Sequence, residues 1–428
     1  MSTTDSLRTF SSQDRIEKHT LELLREPRIE LAKREGEQTL LAAIPDPDPE
    51  NQARFAEVAT EITLNALMGM VDGRSGEDLP RLIQRPPHEI DGERVPGNRG
   101  LHDNPDTFYR LIPMDGVSDF ILEGEVDGVP ATIFELSLLT SQWETIGHLS
   151  KQQLGLGSGK RFRIHVGLEP GPSVDHFLQS AADAEMLLLR ETLADWSREA
   201  PCQLSIENRV SRGGPREKDD SAFIEAAAQR VEKWFRESAR LTKAPLEQPA
   251  NFFSEPVIRN EHGMLVTMAY SVGHFHVPPG QALVVTLDPG SATYVVAPIT
   301  NLWGTTGDGL ARGASWNSSQ AALNDDGSFT CVVSLEDPGV HNWLDPEGLE
   351  RGFLFLRWAG LPPDGPPLHA PGLRTRVVAT GELRKELPPQ TVWVDSARRR
   401  AIQDARERDH APRYDVLSTK SSPTADQT

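Results

Sequence analysis

GKRFRIHVGLEPG at residues 159–171 is echoed by DGSFTCVVSLEDPG at 326–339, with Phe162, Val166, Leu168 and Glu169 meeting Phe329, Val333, Leu335 and Glu336 at a spacing of 167 residues. Working outward, Tyr109, Leu122, Ala131 and Thr132 fall 161 residues before Tyr270, Leu283, Ala292 and Thr293. WETIG (143–147) matches WGTTG (303–307) at 160, VDHFL (174–178) matches VHNWL (340–344), and EMLLLR ending at Arg190 matches RGFLFLR ending at Arg357. An ordered series with small drifts in offset, in sequence of mixed composition, reads as tandem duplication. The second copy then holds a longer middle loop.

Each copy contains short β-type runs separated by DG, PG and GSG turn signals. Wholly apolar runs such as ALVVTL and FLFLR fit strands covered on both faces. The expected fold is mainly β with helical additions: two tandem duplicated, jelly-roll-like β-sandwiches, at 96–212 and 248–380. A helical leader and connector (1–95) precede them, with helical patterning over 14–35 and 50–70 broken by IPDPDPE. Between the copies (213–247), Phe223, Ile224, Ala227, Ala228, Val231, Trp234 and Phe235 form one apolar stripe, the mark of an amphipathic helix. Residues 381–428 are expected to hold a short helix and a disordered tail, LSTKSSPTADQT.

The chain has 428 residues, 44 Lys+Arg against 63 Asp+Glu, and a net charge of -19, a balance that repels a phosphate backbone and argues against nucleic acid as a partner. The most basic run, DSARRRAIQDARERDHAPR, is interleaved with Asp395, Asp404, Glu407 and Asp409 and reads as a solvated helix. No apolar run approaches a membrane span, the first residues lack a signal-peptide core, and Cys202 and Cys331 have no pairing motif; a cytoplasmic protein is expected. Assembly into a homo-oligomer is left open.

Duplication supplies a sorting rule. Positions shared by both copies serve the fold first, whereas polar positions found in one copy are free for chemistry. His274 and His276, in GHFHVPP, stand where the first copy has Pro113 and Asp115. Two residues apart on a strand, they point the same way and could chelate a divalent metal. Against this, Val277, Pro278, Pro279 and Gly280 follow where a further carboxylate ligand would be wanted, and hydrogen-bonded neutral histidines are the plainer reading. VHNWLDPEG places His341, Asn342, Trp343 and Asp345 before a turn, where Asp345 can act as a cap or orient a polar ligand against Trp343. The longer loop, NLWGTTGDGLARGASWNSSQA, adds Asp308, Arg312, Trp316, Asn317 and Gln320, a composition suited to a pocket rim.

The segments HDNPDTFYR (102–110), ALVV (282–285), NLW (301–303), SWNSSQA (315–321) and EDPGVHNWLDPEGLERGFLFLRW (336–358) resemble those of a bacterial β-rich family catalogued as domain of unknown function 1214. The resemblance implies a β-sandwich architecture and no particular chemistry.

The functional expectation is a small-molecule protein whose second-copy loops form a cleft for an oxygenated substrate. Asn301, Trp303, Arg312, Asn317, Gln320, Asn342 and Trp343 would bind it, with His341, Asp345 and Asp308 as catalytic candidates and His274 and His276 as metal ligands for hydrolysis or elimination. The alternative is a non-catalytic module for a carbohydrate-like ligand or a protein partner, and whether the chain is an enzyme is open at this level.

Overall fold

The computed structural model describes residues 12–70, 80–171, 174–210, 220–259, 263–307, 310, 312–362, 367–410 and 413. Three helices lead: α1 (Ser12–Leu23), α2 (Pro27–Ala43) and α3 (Pro49–Met68). The first expected helix is thus two, because Pro27 opens α2 with Glu26 extended before it (φ -71°, ψ 128°). Asp48 caps α3 by accepting from the Asn51 amide at 2.9 Å.

The first half then runs through β1 (Arg81–Ile83), β2 (His88–Ile90), β3 (Glu93–Val95), β4 (Thr107–Pro113), β5 (Asp119–Glu125), β6 (Val129–Pro130), β7 (Ile133–Thr140) and β8 (Thr145–Ser150). After α4 (Lys151–Leu154) come β9 (Arg161–Gly167), β10 (His176–Gln179), β11 (Ala184–Thr192), β12 (Glu199–Ala200) and β13 (Gln203–Val210), then the long helix α5 (Asp220–Leu246). The second half comprises β14 (Val257–Ile258), β15 (Met268–His276), β16 (Gln281–Asp288), β17 (Tyr294–Thr300), β18 (Ser315–Asn317), β19 (Phe329–Val333), β20 (Trp343–Leu344), β21 (Arg351–Ala359) and β22 (Gly372–Ala379). It closes with α6 (Leu383–Glu386) and α7 (Ser396–His410).

Each half is a two-sheet sandwich, and the strand order repeats. The five-stranded sheets run β1-β4-β11-β7-β8 and β14-β15-β21-β17-β18, and the four-stranded sheets β10-β9-β5-β13 and β20-β19-β16-β22. Phe120, Leu122, Phe162, Ile164 and Val166 meet Phe134, Leu136, Leu138, Leu187 and Leu189 in the first core. Leu283, Val285, Phe329, Cys331 and Val333 meet Val295, Ala297, Leu354, Leu356 and Trp358 in the second. β1 lies inside the stretch assigned to the connector and pairs with β4, so the first sandwich begins at Arg81.

The outer faces of the five-stranded sheets are covered as well. Ile133 and Ala194 pack against Met268, Tyr270, Tyr294, Val296 and Phe355 across a seam between the halves. At the end of the seam α2, α3 and α5 pack on Leu111, Leu139, Met186 and Leu188 of the first half and on Leu302, Trp303 and Phe353 of the second. Covering both faces is why these strands read as unbroken apolar runs.

Two of the sequence matches between the halves shift in the structure. Trp143 donates its amide to Thr140 and Gly304 donates its amide to Asn301, with φ of 63° and 78°. Trp143 is therefore the counterpart of Gly304, and Trp303 lies one position earlier. Likewise Phe120 pairs with Val166 and Leu283 with Val333, so Leu283 answers to Phe120, two residues from Leu122. A slip of two keeps side chains on the same face, which is why apolar pattern alone does not detect it.

The basic run is corrected too. In α7, Arg399 and Arg406 are the buried residues, not solvated ones. The segment 417–428 lies outside the described residues.

Candidate functional site

A dense buried polar network lies in the seam, built on HDNPD just before β4. Asp106, 1% exposed, accepts from Trp196 Nε1 at 2.8 Å, Tyr294 OH at 2.6 Å and Asn317 Nδ2 at 2.8 Å. Burial first, and Asp106 second, hold the Tyr294 phenol protonated well above its ordinary range. Asp103 accepts from the amide and the hydroxyl of Thr306 at 3.1 and 2.5 Å, and burial pushes its carboxyl up. Arg99 grips Glu61 of α3 through Nε at 2.9 Å and Nη2 at 2.6 Å, while burial again raises Glu61. His102 is pushed down to about 3, chiefly by burial and then by Arg357, and its Nδ1 lies 3.2 Å from Thr300 Oγ1. It is a neutral core histidine between Phe353 and Phe355.

Arginine and aromatic rings alternate beside Asp106. Arg406 lies 4.5 Å from the Trp316 ring centroid and 4.6 Å from that of Trp196. Arg413 lies 4.7 Å from Trp196 and 5.6 Å from Phe108. Arg406 donates to the Leu310 carbonyl at 3.0 Å, the Ser315 carbonyl at 2.8 Å and Gln320 Oε1 at 2.8 Å.

The residues expected to form a ligand cleft are mostly consumed by the fold. Asn301 accepts from the amides of Trp303 and Thr305 at 3.0 and 3.2 Å, shaping its own turn. Trp303 is fully buried and donates to the Asn51 carbonyl at 2.8 Å. Asn317 caps Ser319 and Gln320 while it binds Asp106. Asn342 is saturated by Ala322 and Thr330, and Trp343 donates to the Ser334 carbonyl at 2.9 Å. Asp345 caps the Glu347 amide at 2.8 Å and lies 3.6 Å from the exposed Arg312; burial raises its carboxyl. His341 is half-buried against Trp316, its basicity lowered mainly by burial. Asp308 lies outside the described residues.

His274 is buried, its Nδ1 2.9 Å from the Pro245 carbonyl at the end of α5, and burial lowers its basicity. His276 is exposed, with its backbone bridged to Asn251. Among the described residues no three His, Cys, Asp or Glu side chains converge as a metal-holding group.

Asp106, Trp196, Tyr294 and Arg406 escaped the sequence reading. The signal was present: residues 102–106, HDNPD, stand 161 before Gly263, Met264, Leu265, Val266 and Thr267, so their polar groups belong to one copy only.

An open concavity lies elsewhere, on the outer face of the second four-stranded sheet. A groove of about 600 Å³ runs between β16, β22 and the segment after α6. Thr286, Asn324, Asp326 and Ser328 line it and are tied into one chain of hydrogen bonds through Thr330 beside it. Ser328 donates to Asp326 through its amide at 3.0 Å and its hydroxyl at 2.6 Å, Asn324 donates to Ser328 Oγ at 2.9 Å and Thr330 Oγ1 at 3.1 Å, and Thr330 and Thr286 share a bond of 3.0 Å. Exposed Arg374 stands opposite Thr286 in register, and Arg376, two residues on, lies 3.5 Å from Glu386.

No helix among the described residues is long and apolar enough to cross a membrane. No protein-family model and no curated protein matches the sequence. Among solved structures the chain is similar to an uncharacterised protein from Burkholderia cenocepacia, at a TM-score of 0.68 and 22% identity, over 85% of this chain and 100% of that one. It also aligns with the VPA0106 protein from Vibrio parahaemolyticus at a TM-score of 0.41 and 11% identity, over 64% and 90% of the two chains. The first likeness establishes the β-rich fold.

Proposed function

We propose that the protein is a non-catalytic binding module that takes an oxygenated, carbohydrate-like small molecule in the groove beside β16 and β22. The observation that carries this reading is the groove's chemistry. A floor of hydroxyl, amide and carboxylate groups already held in one hydrogen-bonded chain offers preset donors and acceptors, and Arg374 adds a charged fork at the wall. Preset groups lower the ordering cost of binding. Metal-assisted processing is not part of the proposal, because His274 already serves Pro245, Asp345 caps the Glu347 amide and His341 packs against Trp316. The same proposal includes kinship with the domain of unknown function 1214 family, on the motifs quoted, and descent of the two halves from one duplicated sandwich, on their shared strand order.

A thermal-shift and NMR screen of neutral sugars, uronates and small hydroxy acids tests it. The expected result is a saturable stabilisation by at least one class, reduced about tenfold or more in affinity by Arg374→Ala. Hits that perturb residues away from Thr286, Asn324 and Ser328, or no hit at all, would sink it.

A further inference from the structure

We infer that the pocket holding Arg406 is a guanidinium-binding site shared by the two halves, filled in cis by α7 as a detachable strap and open to an external arginine side chain or other guanidinium compound when α7 lifts. Three observations lead there.

The first is the pocket itself. Trp196 comes from the first half and Trp316, Leu310, Ser315 and Gln320 from the second. Two indole faces and three oxygen acceptors match a planar cation with a fork of N–H donors, and they do not match a compact ammonium.

The two indole walls are held, secondly, by N–H bonds that do not involve α7, while His410 of α7 packs on the Trp196 ring at 5.0 Å. Trp196 is held by Asp106, Asp106 by Tyr294 and Asn317, and Trp316 Nε1 donates to the Trp343 carbonyl at 2.7 Å. A receptor that keeps its shape when empty is preorganised for a second ligand.

The third concerns α7. A helix docked for stability presents an apolar stripe, yet here the two buried residues are Arg399 and Arg406, with Ile402 half-buried. Arg399 is clamped by Asp337 at 2.8 and 3.0 Å. Upstream, the backbone stays pinned, since His341 N donates to Val392 O and Val394 N to Gly339 O, both at 2.8 Å. Bonds at Asp395 and Arg399 hold the first turn of α7, so the hinge lies beyond Arg399, and all sheets of both sandwiches are complete without α7. Burial pushes Arg406 down to about 10, the mark of a guanidinium taken fully out of water into the pocket.

Hydrogen exchange on the full wild-type chain, with ethylguanidinium as the probe and ethylammonium as the control, tests this. We expect α7 amides to exchange at least about tenfold faster than those of β17 and β21, through local opening. Ethylguanidinium should accelerate α7 further while leaving the strands unchanged, with no effect of ethylammonium. Exchange of α7 at the rate of the strands, or acceleration by both compounds alike, overturns the inference. In the full-length Arg406→Ala chain, ethylguanidinium should raise Tm saturably and quench indole fluorescence, and ethylammonium should do neither. A folded variant indifferent to both compounds also overturns it. If the variant does not fold, the wild-type exchange decides the matter.

Discussion

Arg190 and Arg357 occupy the same register position in the two sandwiches, each opposite a tyrosine, and each reaches across the seam to hold the other half. Arg190 pairs in register with Tyr109 and donates to the Gly263 carbonyl at 2.8 Å, while Arg357 pairs with Tyr270 and donates to the His102 carbonyl. The same exchange recurs in the backbone: His102 N donates to Gly304 O, and Gly263 N to Trp143 O, both at 2.8 Å. Tyr109 OH accepts from Asn104 N at 3.2 Å, and Tyr270 OH from Leu265 N at 3.1 Å. The halves are thus joined by reciprocal bonds about a pseudo-twofold axis. An arginine's charge-assisted bonds at a desolvated seam are worth more than surface pairs. Arg357→Met should therefore lower unfolding free energy by about 3 kcal/mol, read from urea unfolding. A loss within about 0.5 kcal/mol, the range of an ordinary surface substitution, would show that the clasp contributes nothing.

His102 predicts acid sensitivity. It is neutral in the fold, with a folded value of about 3 against an ordinary 6.5. Between those values the unfolded chain takes up a proton that the fold refuses, so stability is intact above about pH 6.5 and falls as pH drops toward 3. The contribution from this residue is up to about 1.4 kcal/mol per pH unit. Tm measured from pH 7 to 4 should decline less steeply for His102→Gln than for the wild type. Parallel curves would rule the assignment out.

Asp106 is the hub of the seam, accepting from an indole, a phenol and a carboxamide. Asp106→Asn keeps the size but sets an N–H₂ group among donors, so one or more bonds become repulsive. We expect a loss of about 3 kcal/mol, with a red shift in tryptophan emission as Trp196 loosens. Unchanged emission and Tm would mean that the donors re-pair.

Gly36 of α2 lies against α5, where a Cβ would stand 2.2 Å from Phe235 Cδ2. A buried ring has no room to yield, so Gly36→Ala should destabilise by about 2 kcal/mol in spite of alanine's better helix propensity. A more stable variant, measured by thermal melting, would show that the helices separate freely.

The sequence by itself determined the β-rich, two-part architecture, because turn signals and apolar periodicity are local properties carried by adjacent residues. Pairs such as Phe162 with Phe329 and Arg190 with Arg357 marked equivalent places in the two halves, and the Phe223 to Phe235 stripe marked α5. Tertiary structure decided what those places do. Asn301, Asn317, Asn342 and Asp345 carry the composition of a pocket rim, yet their partners are backbone amides and Asp106, bonds invisible from spacing. Arg406 reads as a solvated cation until Trp196 and Trp316, 210 and 90 residues before it, close on its two faces. Composition sets which bonds a side chain can make; only the packing of distant segments sets which of them it does make.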